Sequence, residues 1–88
     1  MTYTIKFRPA VEKDMRTLPQ KEIKRIKRKI DALAENLPEP AITKMKGNNN
    51  FHKIRVGDYR IIYEINNDTL VILVVKIGHR KDIYKHLP

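Results

Sequence analysis

Basic residues recur with a two-residue beat around a tight turn: Lys53 and Arg55 precede Gly57-Asp58, and Arg60 follows it. Gly57-Asp58 suits a two-residue hairpin loop of type II′, with glycine at the first central position. With those two residues as the turn, Arg55 faces Arg60, Lys53 faces Ile62 and Ile54 faces Ile61. Side chains alternate across a strand. One face therefore carries Lys53, Arg55 and Arg60, and the other carries Ile54, Val56, Tyr59, Ile61 and Tyr63. Like charges directly opposite destabilise a sheet. Either the two arginines are kept there for an anion, or they splay to solvent or pair with Glu64 and Asp58.

The rest of the composition narrows the chemistry. The 88 residues contain no cysteine and no serine, which excludes thiolate nucleophiles, zinc–thiolate sites and a Ser-His-Asp triad. Gly47, Gly57 and Gly78 are isolated, so no phosphate-cradling loop exists. His52, His79 and His86 lack metal-ligand spacing, and no paired-carboxylate motif is present. No metal or cofactor is implied. Lysine, arginine, tyrosine and histidine remain, and they suit one reaction: metal-free cleavage of RNA by its own 2′-hydroxyl. That reaction needs a base for the 2′ proton, cations for the phosphorane, and a donor for the departing 5′ oxygen. Arginines meet the second need through paired contacts to phosphate oxygens. A lysine crowded by cations is the type of group that serves as an amine base, and Lys53 is the candidate. Arg80, Tyr84 and His79 all stay open as the proton donor.

Several elements must position these groups. Tyr3, Ile5 and Phe7 alternate with Thr4 and Lys6, which predicts a strand. Pro9 opens a short helix with Val11, Met15 and Leu18 on one stripe. A second helix follows Pro19: Ile23, Ile26, Ile30, Leu33 and Leu37 hold helical spacing, and Pro38 and Pro40 end it. Its other face carries Lys21, Lys24, Arg25, Lys27, Arg28 and Lys29, read as a solvated face or as a surface for ribosomal RNA. Ile42–Lys46 is expected to be a short strand or an approach to one, and Gly47–Asn50 a loop. Phe51–Val56, Tyr59–Asn66 and Thr69–Ile77 read as three strands, with Asn67-Asp68 as the second turn. Leu70–Val75 is apolar throughout, so that strand is expected to be covered on both faces. His79, Arg80 and Lys81 follow at once, adding cations near the end of the Tyr59–Asn66 strand, and the Tyr84 ring can stack on a base. The expectation is one α+β domain over 1–88: an N-terminal strand, a helical hairpin, then antiparallel strands forming a sheet with the helices packed on it.

Bulk charge agrees with a polyanionic partner. Nineteen Lys+Arg against ten Asp+Glu leave a net charge of +9, a field that attracts nucleic acid or the ribosome. The longest apolar run falls far short of the ~20 residues a membrane helix needs, and the start MTYTIKF lacks the apolar core of a secretory signal. A cytoplasmic protein with no membrane partner is expected.

The block from Lys53 to Glu64, with Ile77-Gly78-His79-Arg80 and Tyr84 downstream, resembles the RelE family of bacterial and archaeal toxins, within the RelE/ParE superfamily. The likeness covers nearly the whole chain and implies the RelE-like microbial RNase fold. It implies a ribosome-dependent endonuclease that cuts messenger RNA in the decoding site. It also implies a RelB-like antitoxin that neutralises the toxin, with operator DNA bound only through their complex. By position, Lys53 matches a catalytic lysine, Arg60 and Arg80 the arginines that hold the phosphate, and Tyr84 the tyrosine that orients the base. Lys46 falls at a basic residue flanking the RNA, and Arg55, His79 and Lys81 complete the expected RNA-binding set. Two departures stand out. Tyr84 follows Arg80 more closely than in the best-known member, and Phe51 replaces a second lysine two residues before Lys53. His52, beside it, falls on the other face by alternation.

Two other readings compete: a ParE-type toxin that inhibits DNA gyrase, and a non-catalytic basic module that docks nucleic acid. Grooves between sheet and helices offer apolar anchors for an antitoxin helix, expected to be acidic.

Overall fold

The computed structural model describes residues 2–79, in the order β1 (Thr4–Phe7), α1 (Pro9–Met15), α2 (Gln20–Glu35), α3 (Pro40–Thr43), β2 (His52–Val56), β3 (Tyr59–Asn66) and β4 (Val71–His79). The four strands form one sheet in the order β1-β4-β3-β2. β2, β3 and β4 run antiparallel to their neighbours, and β1 joins the far edge parallel to β4. Among the described residues no helix is long and apolar enough to cross a membrane.

Helix α1 starts where proline is least costly, with Pro9 in the first turn and its fixed φ already helical. It buries Val11 and Met15, and α2 buries Ile26, Ile30 and Leu33 at the predicted spacing. These meet Ile61, Tyr63, Ile72, Val74 and Ile77 from one face of the sheet. Burying an Ile or Leu side chain fully is worth about 1.5–3 kcal/mol, so this single cluster holds helices to sheet. The Tyr3 amide donates to the Ala34 carbonyl (3.0 Å), satisfying an end-of-helix acceptor and tying β1 to the close of α2.

The other face carries a smaller cluster, Ile62 and Val75, covered by Met45, Phe51 and Leu73. β4 is therefore apolar on both sides, as its uniform sequence predicts, although Leu70 lies before the strand. The 40–46 segment differs from expectation. Pro40 nucleates one helical turn through Thr43, and only Lys44 makes an isolated bridge to His52. The second hairpin differs too. Its loop spans 67–70: the Asn66 side-chain oxygen accepts the Asp68 and Thr69 amides, and Leu70 takes the positive φ (+54°). The Asn66 side chain shapes the turn, so Asn67 and Asp68 need no left-handed backbone.

Candidate nucleic-acid interface

The β2–β3 register is the one the sequence dictates: His52 opposes Tyr63, Lys53 opposes Ile62, Arg55 opposes Arg60 and Val56 opposes Tyr59. Gly57 at φ +60° carries the turn, and Asp58 keeps a negative φ, consistent with type II′. Lys53, Arg55 and Arg60 thus share the face away from the helices. Lys53 and Arg55 are exposed, while Arg60 is half-buried with its Nε out of solvent contact.

The third strand adds a cation that sequence reasoning did not find. Ile62 pairs with Lys76, but Tyr63 pairs with Val74, so Val75 is an extra residue in β4. A bulge of this kind puts two consecutive side chains on one side of the strand. Val75 packs on Ile62, and Lys76 stays on the same outer face. Two adjacent rows result: Lys53, Ile62 and Lys76, then Arg55, Arg60 and Gly78. Glycine ends the second row without a side chain.

Of the two carboxylates open to Arg55 and Arg60 as partners, Glu64 and Asp58, the first also approaches another arginine. Glu64 lies 3.6 Å from Arg8 at the start of α1.

Other candidates fall in different places. Phe51 packs with Met45 and Leu73 over Ile62 and Val75, so the position of the missing lysine is part of a small apolar cover. His52 points the other way, as alternation predicts. It is buried (8 % exposed), stacks on Tyr63 at 5.5 Å, and its Nδ1 lies 2.9 Å from the Thr43 hydroxyl. Burial, then the Lys44 charge, lowers its pKa below the ordinary imidazole value. Burial raises the Tyr63 phenol, and the nearby Thr43 hydroxyl opposes this without reaching full hydrogen-bond geometry. His52 therefore fastens the 40–51 segment to the sheet in its neutral form.

Lys46 is exposed in the loop after the Lys44 bridge, where its carbonyl accepts from the Asn49 side-chain Nδ2 (3.0 Å). His79 lies opposite Tyr59, the first residue of β3, with Gly78 opposite Arg60. Its ring meets the Tyr59 ring edge-on at 5.9 Å. That places His79 beside the β2–β3 turn but on the helix side of the sheet, away from Lys53 and Arg60. Arg80, Lys81 and Tyr84 lie outside the described residues.

Comparison with known proteins identifies the family and the fold. The family described as the ParE toxin of the type II toxin–antitoxin system parDE matches residues 5–84. The toxin RelE3 of Methanocaldococcus jannaschii is 37% identical over 86 residues, covering 93% of this chain and 96% of its own. The chain belongs to the RelE family of type II toxins. Two solved antitoxin–toxin complexes share the fold. That of RelB-RelE from Methanococcus jannaschii matches at TM-score 0.70 and 34% identity, covering 94% of this chain and 99% of that one. The archaeal RelE-RelB complex from Pyrococcus horikoshii matches at TM-score 0.75 and 29% identity, covering 91% and 97%. The mixed sheet with its helical layer is thus the RelE fold.

Proposed function

We propose that this RelE-family toxin is a ribosome-dependent endoribonuclease that cuts messenger RNA in the decoding site without a metal. The observation that carries the reading is the pair of cationic rows on the outer face, Lys53 with Lys76 and Arg55 with Arg60. Lys53 takes the 2′ proton as its oxygen attacks the adjacent phosphorus. Arg60, joined by Arg80, holds the non-bridging oxygens as charge builds on the phosphorane. The bond to the 5′ oxygen then breaks, leaving a 2′,3′-cyclic phosphate and a free 5′-hydroxyl. Lys76 supplies the second lysine charge that Phe51 removes. Tyr84 stacks on the codon base, with Lys46, Arg55 and Lys81 along the backbone. His79, on the helix side, leaves proton donation to Arg80 or Tyr84.

A RelB-like antitoxin is the proposed partner, as in the related complexes. Its anchors are two apolar depressions between β1, α1 and α2, one holding Phe7, Met15 and Ile23, the other Ile5 and Ile30. Lys27 borders both and Arg16 the first, beside one carboxylate in each, Glu12 and Asp31; the chain's net charge of +9 favours an amphipathic helix of acidic character. Operator DNA is reached only through that complex.

The ParE description of the matched family favours a second reading, inhibition of DNA gyrase. Brief expression without antitoxin separates them. Cut messages with normal supercoiling support the nuclease, whereas intact messages with inhibited gyrase support the alternative.

A further inference from the structure

Behind the β2–β3 turn, on the helix side, lies a cleft of about 470 Å³ lined by Glu22, Arg25, Gly57, Asp58, Tyr59 and His79. A Cβ at Gly57 would sit 3.1–3.4 Å from three atoms of the Arg25 guanidinium, so that cation rests directly on the turn. The Tyr59 and His79 rings form the adjoining wall. On the opposite side, the Arg55–Arg60 pair lies one residue pair from the same turn. The hairpin tip is thus flanked by cations on both faces of the sheet. Beyond the cleft, the exposed side of α2 continues with Lys21, Lys24 and Arg28.

We infer that this cleft is a second RNA-backbone subsite. A single strand held on the outer face crosses the Gly57-Asp58 turn and places a further phosphate against Arg25, with its ribose and base against Tyr59 and His79. The inference rests on the reading that the outer face holds RNA. Arginine suits the task because its planar fork binds two phosphate oxygens at once. Its present partner is a weak one: Glu22 lies 3.5 Å away, and the Arg25 side chain is 47% exposed. A phosphate displaces such a contact readily. Glu22 and Asp58 are the opposing charges in the cleft, so neutralising Glu22 frees Arg25 and favours the anion.

Binding of uncleavable 2′-O-methyl RNA, as a trinucleotide and as a nonanucleotide, tests this in the full chain. Arg25→Ala is expected to weaken the nonanucleotide on the order of tenfold, one charge-assisted contact, and to leave the trinucleotide unchanged. Its salt slope should fall by about 0.7, the value for one phosphate on a single strand. Glu22→Gln should tighten the longer RNA, and Lys13→Ala, an equal charge loss on α1, should show no dependence on length. Equal losses for both lengths, or the same loss in Lys13→Ala, would overturn the subsite. Thermal melting of each variant controls for folding. Failure of the wild type to cut messages would remove the nuclease reading yet leave this length-dependent result standing, so the two are separable.

Discussion

Lys53 and Lys76 occupy one cross-strand row, on either side of Ile62, although 23 positions separate them in sequence. The bulge at Val75 keeps Lys76 on the outer face. In the proposed site, with Phe51 where the family resemblance implies a second lysine, Lys76 of β4 is the second ammonium. Lys76→Ala should therefore reduce cleavage by about 10²-fold, the low end of the range seen when one preorganised charge donor is lost. Single-turnover cutting of a ribosome-bound message checks this. An unchanged rate would remove Lys76 from the site.

Arg60 is half-buried between its neighbours, whereas Arg55 across from it is exposed. A planar, two-point phosphate contact is not reproduced by an ammonium. Arg60→Lys and Arg60→Ala should both lower kcat by about 10²–10³-fold, while Arg55→Ala chiefly weakens binding. Comparing kcat with KM for the three variants tests the division of labour.

His52 sets an acid limit on stability. Its folded-state pKa lies below the unfolded value of about 6.5. Below that pH the unfolded chain binds a proton that the native state resists, so stability falls as pH drops towards the lowered value. Urea midpoints measured from pH 7.5 down to 5 should decline. His52→Phe keeps a ring on Tyr63 and should flatten that slope.

Thr43→Val removes the hydroxyl 2.9 Å from the His52 ring. It leaves a buried imidazole nitrogen without its partner, at a cost of about 1–3 kcal/mol. Denaturant unfolding reads the loss directly. The 40–51 segment should also lose amide-exchange protection before the rest of the sheet.

The hairpin and the long helix were legible because each carries a sharp local code. Gly57-Asp58 fixes the register of β2 and β3 by turn geometry alone, and that register sorts every side chain by face. The Ile23-to-Leu33 spacing likewise identifies the buried side of α2, although the helix stops at Glu35, before Leu37. The unread parts are those where local pattern is silent. Leu70–Val75 is uniformly apolar, so alternation could not reveal the Val75 bulge or place Lys76. The face of His79 was hidden for the same reason. Pro40 opening a helical turn after Pro38 reads equally well as a terminator. The Arg8–Glu64 pair joins distant segments, and only the packing of β1 against β4 brings them together.

The most direct test uses purified ribosomes carrying a message whose decoding-site codon has either ribose or a single 2′-deoxyribose at the scissile position. Attack by the message's own 2′-oxygen predicts a cut with a 2′,3′-cyclic phosphate end for ribose, and no cut at the deoxy position. Cutting that persists without the 2′-hydroxyl, or an intact ribose message beside active toxin, would contradict it.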